Sequence, residues 1–292
     1  MRSQEQMMDL ILQTALDDER VRAVCMNGSR VNKNAPRDLF QDYDVVYLVT
    51  RYQSFLDDLA FIDRFGERTV MQLPDLPDGG AAKRFHILMQ FTDGNRIDLT
   101  ILALEFMEDY LKEDTLTVAL LDKDGLLPAL PEPNDSLYWV KRPTAEQFAA
   151  CCNEFWWVAP YVAKGLWRGE LLYAVHHLEA CLRRELLTML EWEMGCKTGF
   201  TVSMGKYLDR YLEPERYQAL LGTCNLNDID NCWGALFSLA RLFGGSARRV
   251  ALQLGFSYQE REEERVAAHL KRVRELPPNA SDFGKPLVFS HL

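Results

Sequence analysis

The stretch Asp42-Tyr43-Asp44-Val45-Val46-Tyr47-Leu48-Val49 decides how the first part of this chain can fold. Its last five residues are β-branched, aromatic or otherwise apolar, which predicts a buried strand. Because side chains alternate along extended backbone, Asp42 and Asp44 lie on one face, with their Cα atoms about 6.6 Å apart. Two carboxylates in this arrangement can share divalent ions, since Mg²⁺ prefers hard oxygen ligands. The segment therefore predicts a metal site where a strand begins.

Two further features would complete such a site. Gly28-Ser29 follows a strand predicted over 21–27, and glycine beside serine lets backbone N–H groups and a hydroxyl approach a phosphate. Asp98 lies in an apolar run that the hairpin signal Asp93-Gly94 precedes. Paired metal ions can clamp both oxygens of a phosphoryl displacement, which makes nucleotidyl transfer the predicted chemistry. The alternative interpretation places the acids in a turn and on a solvent-facing strand surface.

The composition, 48% hydrophobic and 26% charged, is typical of a soluble protein. At 292 residues, the chain is long enough for two domains that each have a hydrophobic core. No apolar run reaches the ~20 residues of a membrane helix, and the first residues lack the layout of a signal peptide. The seven cysteines include no C-x-x-C pair, which argues against a disulfide framework and against a zinc knuckle. A cytoplasmic location without membrane contact is therefore expected.

Negative charge is concentrated in the first half of the chain. Residues 1–143 carry 16 Lys and Arg against 25 Asp and Glu, whereas residues 144–292 carry 17 against 18. Enzymes that follow a nucleic-acid backbone normally present a basic stripe, so a nucleic-acid partner is disfavoured. A small cationic substrate suits the acidic field better, although surface acidity often serves only solubility.

The pattern of apolar residues predicts two domains of different class and an α+β fold. Up to about residue 143, a helix over 4–18 and a second helix over 55–65 accompany the strands. Prolines between 128 and 143 indicate a linker. Beyond the linker, helical spacing recurs over 145–163, 168–194, 204–221, 228–253 and 257–275. Breaks are expected at Gly165, over 195–199 and at Gly244-Gly245.

The motifs resemble one family over nearly the whole chain. Residues 26–32 (Met-Asn-Gly-Ser-Arg-Val-Asn), 38–44 (Asp-Leu-Phe-Gln-Asp-Tyr-Asp) and 173–179 (Tyr-Ala-Val-His-His-Leu-Glu) are similar to the streptomycin-inactivating aminoglycoside 6-adenylyltransferases of the nucleotidyltransferase superfamily. The resemblance implies a mixed-sheet, polymerase-beta-like nucleotidyltransferase domain over 1–143. It implies an α-helical bundle over 144–292 that completes the ATP and aminoglycoside sites. The implied reaction is Mg-ATP-dependent transfer of AMP to the 6-hydroxyl of streptomycin, with release of pyrophosphate.

The same resemblance implies roles for the residues of the first domain. Asp42 and Asp44 would bind the Mg²⁺ of the ATP complex. The phosphates of ATP would lie near Gly28-Ser29 and Arg30. Asp98 would act either as the general base that accepts the hydroxyl proton or as a third metal ligand, and the base is the preferred interpretation.

The second domain would contact both substrates. By resemblance to related two-domain adenylyltransferases, Lys206 would reach the triphosphate. Streptomycin carries guanidinium groups, so its pocket needs carboxylates and flat rings for cation–π contact. Glu154, Trp157, His177 and Glu179 are the candidates for this pocket. Their structural alternatives are tryptophan in a helical core and histidine held by local hydrogen bonds.

Two rival functions keep part of this chemistry. The metal motif does not identify the molecule that receives AMP, so another small molecule or a protein side chain is the alternative acceptor. A non-catalytic nucleotide-binding module is the third interpretation. The intact acids argue against such a module, since a degenerate protein would be free to lose them.

Overall fold

The structure, a computed structural model, describes residues 1–74, 84–202, 207–287 and 289. The chain divides into two compact units, here called the N-terminal unit (Met1–Leu137) and the C-terminal unit (Tyr138–Leu292). The first combines a sheet with helices and the second is built from helices, which confirms the predicted α+β class. Among the described residues, none of the helices has both the length and the hydropathy needed to cross a bilayer.

The described part of the N-terminal unit contains one mixed sheet with strand order β3-β4-β5-β2-β1-β6. Strands β2 and β5 are parallel, and all other neighbours are antiparallel. The strands are β1 (Val21–Asn27), β2 (Tyr43–Val49), β3 (Arg68–Gln72), β4 (Arg84–Phe91), β5 (Arg96–Ala103) and β6 (Val118–Asp122). The α-helices are α1 (Gln4–Asp17), α2 (Gln53–Asp57) and α3 (Met107–Glu113).

Helix α1 packs against the strand that carries Asp44. A capping box between Ser3 and Gln6 begins the helix. Met7 and Ile11 are fully buried in the core that α1 shares with the central strands. The Tyr47 hydroxyl, on β2, donates a 2.6 Å hydrogen bond to the backbone oxygen of Ile11. These contacts fix β2, which positions the residues at its start.

Two features of the N-terminal unit differ from the sequence prediction. The single helix predicted over 55–65 is wrong, because α2 ends at Asp57 and a 3-10 helix (Ala60–Phe65) follows. Asp58 is extended, and its side chain accepts a hydrogen bond from the Ala60 N–H at 2.8 Å, which diverts the backbone from the α-helix. Strand β3 was not predicted, because it is largely exposed and lacks an alternating apolar pattern.

The described part of the C-terminal unit is organised around two long helices, whose Phe155 and Phe243 rings stack with centroids 3.9 Å apart. The helices are α4 (Ala145–Trp167), α5 (Leu171–His177), a π-helical segment (Leu178–Arg183), α6 (Arg184–Thr198), α7 (Leu208–Tyr211), α8 (Pro214–Gly222), α9 (Ile229–Leu254) and α10 (Glu260–Glu275).

Two of the three predicted helix breaks are wrong. Gly165 lies inside α4 and Gly244-Gly245 lies inside α9. A Cβ at Gly165 would lie 2.8 Å from the Tyr173 ring, and one at Gly244 would overlap the Glu263 carboxylate. These glycines therefore serve close packing rather than termination. The break over 195–199 is confirmed, because Gly199 ends α6 with a φ of 69°.

Glu193 is the buried centre of an ion-pair network in the C-terminal unit, with 1% of its side chain exposed. Arg216 donates to both carboxylate oxygens at 2.8 Å, and Arg249 Nε donates at 2.7 Å. Burial alone would raise the pKa of Glu193, but these arginine hydrogen bonds outweigh it and hold the pKa below its usual value. The network thus links α6, α8 and α9 through one carboxylate.

Glu193→Gln should lower the free energy of unfolding by about 3 kcal/mol at neutral pH, because two arginines lose a buried partner. Glu213→Gln is the control, since Glu213 also accepts from Arg216, at 2.9 Å, but is exposed; its loss should stay below about 1 kcal/mol. All six tryptophans lie in the C-terminal unit, so tryptophan fluorescence during urea denaturation reports its unfolding.

The effect of Glu193→Gln should depend on pH. A depressed folded-state pKa contributes stability above the pKa of the unfolded glutamate, and this contribution is lost as the pH falls through the folded-state pKa. The difference between wild type and variant should therefore shrink in acid. Equal losses for Glu193→Gln and Glu213→Gln, or a difference independent of pH, would contradict this account of the network.

Candidate active site

The three acids selected from the sequence meet at one end of the central strands. β2 and β5 are parallel neighbours, and Asp44 lies directly opposite Asp98 in their register. Asp42 immediately precedes β2. Each residue offers one carboxylate oxygen to a cluster in which these atoms all lie within 4.8 Å of one another. We call Asp42, Asp44 and Asp98 the acid triad.

The electrostatics of the acid triad favour a bound cation. Burial raises the pKa of Asp44 to about 7, and the neighbouring charges of Asp42 and Asp98 add to the rise. The anionic form of Asp44 is therefore costly in the protein alone. A divalent ion would offset that cost, and three partly exposed carboxylates are the hard oxygen donors that Mg²⁺ prefers. The donor set fits this metal.

Gly28 brings the backbone against the acid triad. Asn27, at the end of β1, pairs with Asp44, and a 3-10 turn (Gly28–Arg30) follows. Gly28 has a φ of +75°, and a Cβ built on it would overlap the Asp44 carboxylate. Glycine is thus required twice, for its backbone conformation and for the close approach. The side chain of Gln41 donates to the Ser29 carbonyl at 3.1 Å and to the Ser29 hydroxyl at 3.3 Å.

Arg30 clamps the segment that leads into β2. Its Nε donates to the backbone oxygen of Asp42 at 2.8 Å, and its Nη2 donates to that of Gln41 at 2.7 Å. The guanidinium also lies over the Tyr43 ring, 3.6 Å from its centroid. Arg30 is predicted from the family resemblance to lie near the phosphates of ATP. Its contacts within the protein position the backbone that leads into the acid triad. No sequence pattern indicated this clamp.

Arg96 is a further residue at the acid triad, and its role was not predicted from the sequence. Its Nε and Nη2 donate to the two carboxylate oxygens of Asp98, both at 2.7 Å. The same Nε lies 3.8 Å from an oxygen of Asp42. A signal was available, because residues i and i+2 of a strand share a face and Arg96 is two residues before Asp98.

Two of the predicted drug contacts, Trp157 on α4 and His177 on α5, belong to a string of rings in the C-terminal unit that also includes two tyrosines. Trp157 is 63% exposed, whereas the adjacent Trp156 is buried. The Trp157 and Tyr161 ring centroids lie 6.3 Å apart, and those of Tyr161 and His177 lie 6.1 Å apart. The Tyr173 ring lies 4.3 Å from that of His177. Trp157, Tyr161, Tyr173 and His177 are here called the ring string.

The polar groups near the ring string differ in their availability. His177 Nδ1 lies 2.9 Å from the Tyr173 carbonyl oxygen and must donate to it, which leaves Nε2 of a neutral ring as an acceptor. Glu154 lies three residues before Trp157, on the same face of α4. Glu179 accepts three hydrogen bonds from Arg183, so its charge already has a partner. Lys206 lies outside the described residues.

Comparison with known proteins supports the motif resemblance. A family model described as streptomycin adenylyltransferase matches residues 1–273. The aminoglycoside 6-adenylyltransferase of Bacillus subtilis (strain 168) is 41% identical over 270 residues, which cover 90% of this chain and 95% of that protein. The Campylobacter jejuni protein of the same name is 39% identical over 269 residues, covering 90% and 93%. The crystal structure of an aminoglycoside 6-adenyltransferase from Bacillus subtilis is 34% identical, with a TM-score of 0.47, and the match covers 94% of this chain and 100% of that one. The family predicted from the motifs is confirmed.

Proposed function

This chain belongs to the streptomycin adenylyltransferase family, and we propose on that basis that it transfers AMP from ATP to the 6-hydroxyl of streptomycin. The observation that carries the proposal is the acid triad, whose carboxylates lie within 4.8 Å of one another beside the Gly28 turn. Carboxylates held this close together repel one another. Metal ions that bind a polyphosphate substrate would offset this repulsion. The products are 6-O-adenylylated streptomycin and pyrophosphate.

Asp42 and Asp44 are assigned to the Mg²⁺ of the ATP complex. Supporting this assignment, Asp44 is half-buried and crowded by two acids, so a cation is needed to stabilise its anionic form. When bound, Mg²⁺ supplies neutralisation of the phosphate charge. The triphosphate is assigned to the backbone at Gly28 and Ser29, where the missing Cβ leaves the main chain accessible. Positioning and charge neutralisation should supply most of the rate enhancement.

Asp98 is assigned the role of general base, with a third metal ligand as the alternative. The 6-hydroxyl oxygen forms a bond to the α-phosphorus, its proton passes to the Asp98 carboxylate, and the bond from the α-phosphorus to the bridging oxygen breaks. The electron pair of that bond leaves with pyrophosphate. Asp98 suits this role because it is partly exposed and lies opposite Asp44 in the β2–β5 register.

The ring string is assigned to the guanidinium groups of streptomycin. The Tyr161 ring already makes a cation–π contact, since Lys164 Nζ lies 4.9 Å from its centroid. Trp157 exposes most of its surface for a second one. Glu154, on the same helix face, adds a carboxylate, and His177 Nε2 adds an acceptor. Glu179 is assigned the supporting role of holding Arg183.

Trp157→Ala should raise the KM for streptomycin about two- to fivefold with little change in kcat, because an exposed cation–π contact stabilises bound substrate and transition state alike. The control is Leu252→Ala, which removes an exposed apolar side chain from α9 of the same unit and should leave both constants unchanged. Initial rates over a range of streptomycin concentrations measure the effect. A lower kcat at unchanged KM would contradict the assignment of Trp157 to the drug.

Pyrophosphate release tests the function as a whole. Purified protein with Mg-ATP should release pyrophosphate when streptomycin is added and should not without an acceptor. A panel of other aminoglycosides, unrelated small molecules and proteins distinguishes the rival acceptors. Release with another acceptor and none with saturating streptomycin would reject the proposed substrate. Binding of ATP without release for every acceptor would favour the nucleotide-binding module.

A further inference from the structure

Without a metal, the guanidinium of Arg96 is a positive charge that lies against the acid triad. We infer that this guanidinium is an internal counter-ion that a divalent metal must displace before Asp98 becomes available. This inference rests on the proposed function, which supplies the metal. Arg96 competes with the metal, so Asp98 is released from the guanidinium when the metal binds.

The geometry places the guanidinium between two members of the acid triad. Both oxygens of Asp98 accept hydrogen bonds from Arg96, each at 2.7 Å, and the Nε that serves Asp98 also lies 3.8 Å from Asp42. Such a paired hydrogen bond matches the planar fork of arginine to a carboxylate. Asp98 therefore has both oxygens engaged before any metal binds.

A metal bound at Asp98 and the Arg96 guanidinium would repel each other in this arrangement. Mg²⁺ lies about 2.1 Å from its oxygen ligands. Since Arg96 Nε is 2.7 Å from Asp98 Oδ1, an ion bound to that oxygen would face the guanidinium charge within about 5 Å. Two like charges at this separation repel in a partly buried site. The metal and the guanidinium therefore compete for Asp98.

Arg96 is the partner that can move. Its side chain is 45% exposed, whereas that of Asp98 is 19% exposed. The guanidinium can turn into water, and breaking its paired hydrogen bond to Asp98 is the cost that metal binding must overcome. Asp98 is held by the β2–β5 register and cannot follow. Metal binding should thus exchange one cation for another while the acid triad keeps its place.

Binding of Mn²⁺ to the full chain without nucleotide tests the inference, with free Mn²⁺ measured by electron paramagnetic resonance. Arg96→Gln and Arg96→Met both remove the charge, and both should bind Mn²⁺ about tenfold more tightly than wild type. Two variants are used so that one remains if the other fails to fold, which circular dichroism reports. Asp44→Asn added to Arg96→Gln should abolish the tight binding.

Arg84→Gln is the matched control for net charge. Arg84 makes the same two-bond pair, with Glu113, at 2.7 and 2.6 Å. It lies opposite Leu102, four residues along β5 from Asp98, or about 13 Å. At that distance physiological salt screens its charge, so Mn²⁺ affinity should stay within about twofold of wild type.

The possible outcomes separate the inference from the proposed function. Unchanged or weaker Mn²⁺ binding in the Arg96 variants, with normal binding by wild type, would overturn the counter-ion role and leave the metal site intact. Equal tightening in Arg84→Gln would also overturn it, since net charge alone would then explain the change. Absence of Mn²⁺ binding in wild type and in both Arg96 variants would reject the metal site and this inference together.

Discussion

Asp44→Asn is expected to lower AMP transfer to streptomycin by at least about a thousandfold, the largest effect anticipated for a single atom change in this chain. Asparagine keeps the shape of the side chain but removes the charge assigned to Mg²⁺. The same change should leave the melting temperature unchanged or raise it, because the anionic form of Asp44 is opposed by burial and by two neighbouring acids. Activity and stability should therefore move independently.

Measured kcat/KM and thermal unfolding of the same samples check this expectation. Asp109→Asn is the control, since Asp109 is exposed on α3 and pairs only loosely with Lys112, at 3.9 Å. It removes the same charge and should leave the rate within about twofold of wild type. Turnover within tenfold of wild type in Asp44→Asn would remove the metal assignment. A large loss of stability would instead mean that Asp44 has a structural role.

Gly28→Ala is expected to lower turnover by at least about a hundredfold, through geometry rather than charge. The added Cβ would overlap the Asp44 carboxylate, so either Asp44 or the Gly28–Arg30 turn must move. The positive φ of Gly28 adds about 1 kcal/mol of strain for alanine. Rates at saturating Mg-ATP and streptomycin, together with Mn²⁺ affinity, measure both consequences.

Gly125→Ala separates the collision from the strain. Gly125 has a φ of +66°, but a Cβ there meets nothing within 4 Å. Its replacement should cost about the same stability and leave activity unchanged. If the two alanine variants lost activity equally, backbone strain alone would be responsible. Wild-type turnover in Gly28→Ala would show that the added Cβ does not move the Asp44 carboxylate out of the position that catalysis needs.

The acid triad was accessible from sequence because its geometry follows from strand periodicity. Alternation alone places Asp42 and Asp44 on one face, and a hairpin signal before Asp98 placed that residue on a strand. The parallel pairing of β2 with β5, which sets Asp44 opposite Asp98, required the structure. Pairing between strands distant in sequence leaves no local pattern.

Several side-chain contacts differ from or add to the predictions because partners distant in sequence are not encoded in periodicity. Gly244 suggested a helix end, but its role depends on Glu263 of another helix. Arg30 is predicted to lie near the ATP phosphates, and the hydrogen bonds from its guanidinium to the backbone of residues 41 and 42 add a positioning contact that periodicity does not encode. Strand β3 escaped because an exposed edge strand needs no apolar face.

The central claim is that the acid triad transfers AMP to an aminoglycoside hydroxyl, and isotope transfer from ATP labelled at the α-phosphate tests it most directly. Wild-type protein with Mg²⁺ and streptomycin should move the label onto the drug, with the new phosphodiester at the 6-hydroxyl by NMR. Asp44→Asn and wild type with a chelator should not. Label that stays in ATP with wild type, or transfer that persists in Asp44→Asn, would contradict the account.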